Sequence, residues 1–470
     1  MNINDIFLKA GLADHAPTKG AMIIKPYGYA LWESIQSFLN AEFKKTGHQN
    51  VYFPALIPQN FFQKESAHVE GFAKECSIVT HDKLKNHQGS IIVDPDSLLE
   101  EPLVLRPTSE TIIWNTYKNW IQSYRDLPLL YNQWANVFRS EMRPRLFFRT
   151  SEFLWQEGHT AHETSEEAQK EVVQMLNIYE KLCTELLALS PLVGKKSFNE
   201  TFAGADYTLT LESLTYEKKA LQLGTSHFLG QSFSKAFDVR FSNREGGMSY
   251  PYCTSWGVST RLIGALCATH MDEKGLKLPP SIAPYQVVLI PVFKGDSSPV
   301  LENLLKIKDV LLKKNIRVLL DDDNHKSPGW KFSEYDLKGV PLKVILGPKD
   351  LEKKQLEISP RVGAKYFLSQ EDSLTRIESI LDEIQKERTE DAKSFREANT
   401  FFSEDYKDFQ EKIEQGGFVV APWDNTLESA LKIQQETKAT IRVIKEESTA
   451  YKDLITGKQS KYLVYFAKSY

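Results

Sequence analysis

From Gly28 to Gly47 apolar side chains recur at helical spacing: Leu31, Ile35, Phe38, Leu39 and Phe43 form one stripe, Lys44 and Lys45 fall in the last turn, and Gly47 stands just past the end. The spacing predicts an amphipathic helix. NVYFPALIP, at 50–58, then reads as a strand whose prolines disfavour a central ladder position. Ser109 is placed to cap a helix over TSETIIWNTYKNWIQ, and Thr164 with Glu167 forms a capping box before EEAQKEVVQMLNIYEKLCTELLAL. Leu262 to Ala268 is apolar and follows Arg261, which predicts a buried helix with an arginine near its start.

A boundary falls near KLPPSIAP, 277–284. Beyond it the pattern switches between periods. QVVLIPV, IRVLLDD and LKVILG read as strands, while LENLLKIKDVLLKK and the stretch after SPGW read as helices, a βαβ pattern with a parallel sheet. Leu374 to Asn399 is a charged connector helix, and FVVAPWD, TIRVIK and YLVYFA are the strands of a small α/β domain. Three domains are expected, over 1–283, 284–380 and 381–470.

Composition adjusts this picture only a little. The chain has 470 residues, 41% hydrophobic and 26% charged, enough for real cores in two or three domains. Its net charge of −4 announces no global basic field, so any nucleic-acid contact must come from local patches. The N-terminus lacks a basic-then-apolar signal segment and there is no apolar run of 18 residues, so a cytoplasmic protein with no membrane span is expected. Cys76, Cys183, Cys253 and Cys267 lie far apart with no C-x-x-C, which suits isolated reduced thiols better than disulfides or a zinc site.

The chemistry concentrates between Asn132 and His162, NQWANVFRSEMRPRLFFRTSEFLWQEGHTAH. Arg139, Arg143, Arg145 and Arg149 alternate there with Glu141, Glu152 and Glu157 among five bulky aromatics. The pattern reads as a strand ending at VFR-x-E, a basic loop, and a return strand on which Phe153, Trp155 and Glu157 share one face. Arg139 and Glu141 are expected to share a face as well. A guanidinium on a rigid strand suits a phosphate through its bidentate fork. A salt-bridge ladder beside an aromatic core is the alternative. His159, His162 and Glu163 superficially suggest a metal site, but the spacing is neither H-E-x-x-H nor H-x-x-E-H, and a strand end would not present them on one face. There is no G-x-x-x-x-G-K-[ST] and no G-x-G-x-x-G.

The VFR-x-E segment resembles motif 2 of class II aminoacyl-tRNA synthetases, and RTSEFLWQEGHTAH resembles the prolyl-tRNA synthetases of the archaeal and eukaryotic type. FLKAGLADHAPTKGAMIIKPYGYALWESIQ, LRPTSET, LGTSHFLGQSF, SWGVSTRLIGALCATH, SPGWKF and Tyr470 extend the likeness over nearly the whole chain. The resemblance implies an α+β catalytic domain with a mainly antiparallel class II synthetase sheet, an α/β anticodon-binding domain and a small α/β C-terminal domain. It implies a homodimer built on the helix and strand of motif 1. It implies a ligase that activates L-proline with ATP and Mg²⁺ to prolyl-adenylate and transfers it to tRNA(Pro). Arg139 and Arg261 are then the catalytic arginines, and Glu141, Arg149, Thr150, Gln222, Thr225 and Ser259 complete the ATP site with them. Thr108, Glu110, Arg139, Phe153, Trp155, Glu157, His159 and His227 would receive proline. A sister class II specificity, or an inactive synthetase-like RNA-binding protein, would share much of this pattern.

Two departures stand out. No cysteine follows Cys267, so the zinc that many relatives hold in the C-terminal domain is not expected. Ile345 stands where relatives carry a glutamate thought to touch the anticodon.

Overall fold

A computed structural model describes residues 2–62, 76–292 and 298–470. Its spine is one sheet of eleven strands. From one edge these are Thr400–Phe402, Phe418–Trp423, Tyr462–Lys468, Ala439–Glu447, Leu192–Lys195, Tyr207–Leu214, Ala220–Gly230, Tyr252–Ser259, Glu152–His162, Leu129–Phe138 and Gln49–Asn50. Every pairing is antiparallel except the outermost pair at each edge. The fold expected for the N-terminal region is therefore present, and one feature was not foreseen. The C-terminal strands do not form a sheet of their own: they continue the larger one where Lys195 pairs with Ile444, and Ser469 bridges to Ala220 beyond.

The helices Pro26–Lys45, Ser165–Lys181 and Arg261–Thr269 pack on this sheet and close one large core. The first matches its predicted stripe, with Leu31, Ile35, Leu39 and Phe43 buried and Gly47 at φ +87° just beyond the end. The strand expected at 50–58 is broken instead, into Gln49–Asn50 and Leu56–Pro58. Between them the Phe53 N–H donates to the Gln133 side chain at 2.5 Å, so this backbone group is satisfied without a ladder. Ser109 does precede the helix Glu110–Trp120, but its hydroxyl caps nothing. Thr164 does cap, accepting from the Glu167 N–H at 3.2 Å.

A separate five-stranded sheet follows, in the order Val318–Leu320, Val287–Pro291, Leu342–Leu346, Gln355–Pro360 and Tyr366–Ser369. The first three are parallel, as the βαβ pattern predicts; the last two are antiparallel and went unread. This unit is bolted to the large one. Arg361 donates to both carboxylate oxygens of Asp272, at 3.0 and 2.6 Å, and the Tyr27 hydroxyl donates to the Lys338 carbonyl. The turn after Thr269 thus links helix Arg261–Thr269 directly to the second unit.

Candidate active site

A pocket of about 290 Å³ opens on one face of the large sheet. Its floor follows from strand register. Trp155 faces Ser259 across the ladder, Glu157 faces Gly257 and His159 faces Ser255. One strand further, Thr225 pairs with Gly257 and His227 with Ser255; Thr208 pairs with His227 beyond that. Directly opposed residues point to the same face, so Phe153, Trp155, Glu157, His159, Ser255, Thr225, His227 and Thr208 share a surface. The other face of Glu152–His162 packs into the core, where Gln156 meets the Tyr179 hydroxyl at 2.6 Å. Gly158 allows this: a Cβ there would sit 2.1 Å from the Trp256 ring.

One end of the pocket is acidic and buried. Ser109 donates to Glu157 Oε1 at 2.5 Å and Gln133 Nε2 donates to the same oxygen at 2.7 Å, while His159 Nε2 lies 2.9 Å from Oε2. Thr108 donates to Glu110. Burial alone would lower the His159 imidazole, but the bond to Glu157 and the charges on Glu110 and Glu157 outweigh it and hold it above the usual value. His227 is pushed down to about 3, chiefly by burial, with Lys196 and His159 adding to the effect against Glu110. It is therefore a neutral ring, 2.8 Å from the Thr208 hydroxyl at Nδ1 and 4.6 Å from the Phe202 ring. Two buried polar atoms here, His159 Nδ1 and Trp155 Nε1, have no partner among the described residues. Buried donors and acceptors left this way invite a ligand.

The other end is cationic. Arg139 donates from Nε to the Pro107 carbonyl at 2.9 Å and lies over both Phe153 and Trp155, 5.6 and 5.5 Å from the ring centres. Arg261 donates to the Phe148 carbonyl, and its backbone N–H to Ser259 Oγ at 3.2 Å. Burial, with Arg149 and Arg139 close by, pushes Arg261 down to about 10. An adjoining cavity of about 250 Å³ holds Glu141, Arg149 and Thr150 beside Arg139 and Arg261. Every expected site residue thus lines one or the other cavity.

One expectation needs correction. The strand ends at Phe138, so Arg139 and Glu141 are not alternating strand residues sharing a face. Arg139 keeps one ladder-like bond, from its N–H to the Ser151 carbonyl at 2.8 Å, and the chain then turns away. Glu141 accepts from the Arg143 N–H in that turn. His159 and His162 lie three apart on one strand and hence on opposite faces, and the described residues contain no group of three His, Cys, Asp or Glu arranged to hold a metal.

Comparison with known proteins is decisive. The chain is 51% identical to the proline--tRNA ligase of Bacteroides fragilis over 99% of its own length and 96% of that protein's. It is 51% identical to the enzyme of that name from Porphyromonas gingivalis, over 99% and 96%, and 52% identical to that of Cytophaga hutchinsonii, over 99% and 97%. The chain belongs to the prolyl-tRNA synthetase family. Residues 93–270 match the tRNA synthetase class II core domain (G, H, P, S and T), 286–387 the anticodon binding domain, and 406–470 the prolyl-tRNA synthetase C-terminal domain. All three relatives are bacterial.

Several residues in or behind the pocket of this synthetase were missed by sequence reasoning. Ser109 and Gln133 orient Glu157 and were overlooked because Ser109 sits where a helix cap is expected. Lys196, Phe202, Thr208 and Trp256 line the pocket without belonging to any distinctive motif. Lys196 is almost fully buried and its ammonium is held below the usual value by that burial, with Glu212 opposing. The period-two pattern of TLTLES at 208–213 was the one available signal for Thr208.

Proposed function

We propose that the protein activates L-proline with ATP and transfers the prolyl group to the 3′ end of tRNA(Pro). One observation carries this reading: a single sheet face joins a buried acidic and aromatic end to a cluster of arginines. Proline is a small apolar ring with a cation and a carboxylate, and that combination asks for such a wall and such carboxylates. Phe153 and Trp155 would flank the ring. Glu110, Glu157 and Thr108 would hold the ammonium together with the unpartnered Nδ1 of His159, and His227 would close the apolar side as a neutral ring.

Activation forms a bond from the proline carboxylate oxygen to the α-phosphorus and breaks the bond to the bridging oxygen, which leaves with its electron pair as diphosphate. No protein nucleophile is required, and burial pushes the Cys253 thiol up to about 12 and the Cys183 and Cys267 thiols higher still. The chain's part is positioning and charge neutralisation. Arg139, already fixed by the Pro107 carbonyl and two rings, would meet the α-phosphate without reorganising. Arg261, Arg149, Thr150, Gln222, Thr225 and Ser259 would hold the rest of ATP, with Glu141 beside them in the nearby cavity. Mg²⁺ suits this set, since it keeps most of its waters and needs one or two carboxylates beyond the phosphates; Glu200, half-buried on the pocket wall, is placed to offer one. Bound there it would neutralise phosphate charge.

The domains proposed are 1–283 for catalysis, 284–380 for the anticodon and 381–470 for the connector and C-terminal unit. Archaeal and eukaryotic architecture is the reading favoured by RTSEFLWQEGHTAH and by the short connection between His162 and Gly257, although the named relatives are bacterial. A homodimer is supported by apolar side chains left exposed on the motif 1 side and the neighbouring strands, among them Tyr52, Leu56, Leu84 and Ile91. Sedimentation equilibrium should give twice the chain mass. No described helix is long and apolar enough to cross a membrane, and the cytoplasm, where translation needs the product, is the proposed location.

The test is ATP–diphosphate exchange with each of the twenty amino acids. L-Proline should give by far the largest kcat/KM. A larger value for threonine or glycine, with none for proline, overturns the reading.

A further inference from the structure

Behind the proposed ATP site lies a third cavity, of about 140 Å³. Four cationic side chains line it: Arg149, Lys196, Arg261 and Arg442, with Glu200 the one carboxylate side chain on its wall and Tyr470, whose backbone oxygen accepts from Arg149 at 2.8 Å, beside them. It shares Lys196, Glu200, Gln222 and Arg261 with the main pocket, so the two communicate. Arg442 comes from the strand Ala439–Glu447, which belongs to the C-terminal unit. That unit was expected to stand apart, yet it supplies a wall of this cavity because its strands continue the large sheet.

Both inner cations are built in. Arg442 donates from Nε and Nη2 to Glu212 Oε2, at 3.1 and 2.8 Å, and from Nη1 to Thr440 Oγ1 at 3.2 Å. Lys196 lies 3.9 Å from the other Glu212 oxygen. Arg442 and Lys196 are 8% and 7% exposed and Glu212 is fully buried. One buried carboxylate thus anchors two cations, and with Arg149 and Arg261 the cluster keeps a surplus of positive charge. Removing charges from water is costly unless they are paired, so an uncompensated surplus at depth points to an anion that completes it.

Size and charge narrow the ligand. Pockets for drug-sized molecules run to roughly 300–1,000 Å³, so this space is too small for a nucleoside and suits an inorganic anion of one or two phosphate units. We propose that the cavity receives the inorganic diphosphate leaving group, and that Lys196 and Arg442 draw it away from the α-phosphorus once the bridging bond has broken. The C-terminal unit thereby takes part in product handling. This rests on the activation reaction proposed above.

The experiment is single-turnover reversal: enzyme carrying prolyl-adenylate is mixed with increasing inorganic diphosphate and ATP formation is followed. Lys196→Met and Arg442→Met should each raise the half-saturating diphosphate concentration about tenfold, and for Arg442→Met, whose side chain lies outside the main pocket, KM for ATP and for proline should change less than about twofold. Arg442→Lys, which keeps the charge, should recover part of the loss. An unchanged half-saturation, or for Arg442→Met a rise matched by KM for ATP, overturns the proposal. Because Arg442→Met leaves Glu212 without its main partner, a second measurement uses the unmodified protein. With a non-hydrolysable prolyl-adenylate analogue filling the main pocket, diphosphate should still raise Tm above sulfate at matched ionic strength; no difference overturns the proposal. Absence of any proline-dependent exchange in the unmodified protein would instead defeat the activation reading itself.

Discussion

The two ends of the main pocket are built on opposite principles. At the acidic end the side chains converge on one carboxylate: Glu157 receives Ser109, Gln133 and His159, all nearly buried. At the cationic end Arg139 and Arg261 are tethered to backbone carbonyls by Nε, and Arg149 by one terminal nitrogen to the carbonyl of Tyr470. The first arrangement suits a small rigid substrate. The second fixes where each arginine lies. On the function proposed above, substrate selection would rest on a network whose members depend on each other, and catalysis on cations that can be removed one at a time.

The comparison breaks most sharply at Arg139. Arg139→Ala should lower the activation rate by roughly 10²–10³, the loss typical of one preorganised charge-stabilising donor, with Tm little changed. Near-normal diphosphate exchange would mean that Arg139 merely ties Pro107 to the aromatic wall.

Glu157→Gln should behave differently. It leaves three buried groups facing a weaker acceptor, so we expect a stability loss of about 1.5–3 kcal/mol, the range for hydrogen bonds to a charged group, together with a tenfold or larger rise in KM for proline. Denaturant unfolding and exchange kinetics check both. A change in KM with no loss of stability would separate the network from the fold.

His159 supplies a pH signature. Protonated, its cation competes with the proline ammonium for Glu110 and Glu157, so kcat/KM for proline should rise by about tenfold as pH rises through a pKa above the ordinary value of about 6.5. The stability effect has the opposite sign: a raised folded pKa stabilises at low pH, and that contribution is lost as pH rises through it. A flat profile for proline, or one that survives Gln at position 159, would remove His159 from the substrate's surroundings.

The buried histidines extend the contrast to stability in acid. His162, His227 and His270 are each pushed down to about 3, mainly by burial. Their contribution is complete above pH about 6.5 and is lost as pH falls towards 3. Thermal scans should show Tm dropping across that window. Glu141→Gln, in the exposed turn at the cationic end, should be the mildest change: stability within about 0.5 kcal/mol and at most about a fivefold shift in KM for ATP, as for an exposed charged contact.

Much of this was legible in the residues alone. The stripe from Leu31 to Phe43, the alternation of Phe153, Trp155 and Glu157, and Arg261 ahead of an apolar run each encode a local period, and local periods survive whatever the chain later packs against. What escaped depends on partners distant in sequence. Ser109 reads as a cap until Glu157 is brought 2.5 Å away by strand pairing. The strands Gln355–Pro360 and Tyr366–Ser369 are short, and nothing in them states whether they run parallel or antiparallel.

By itself the sequence determined which segments are helix and strand over most of the chain, which face of each is apolar, and which motifs carry charge. Tertiary structure alone decided strand order, and with it that Ile444 pairs with Lys195 and that Arg442 reaches Glu212 across 230 positions. The physical reason is range. Side-chain periodicity is set within a few residues, whereas register and neighbour choice in a sheet are set by hydrogen bonds and burial between segments that the chain brings together only on folding.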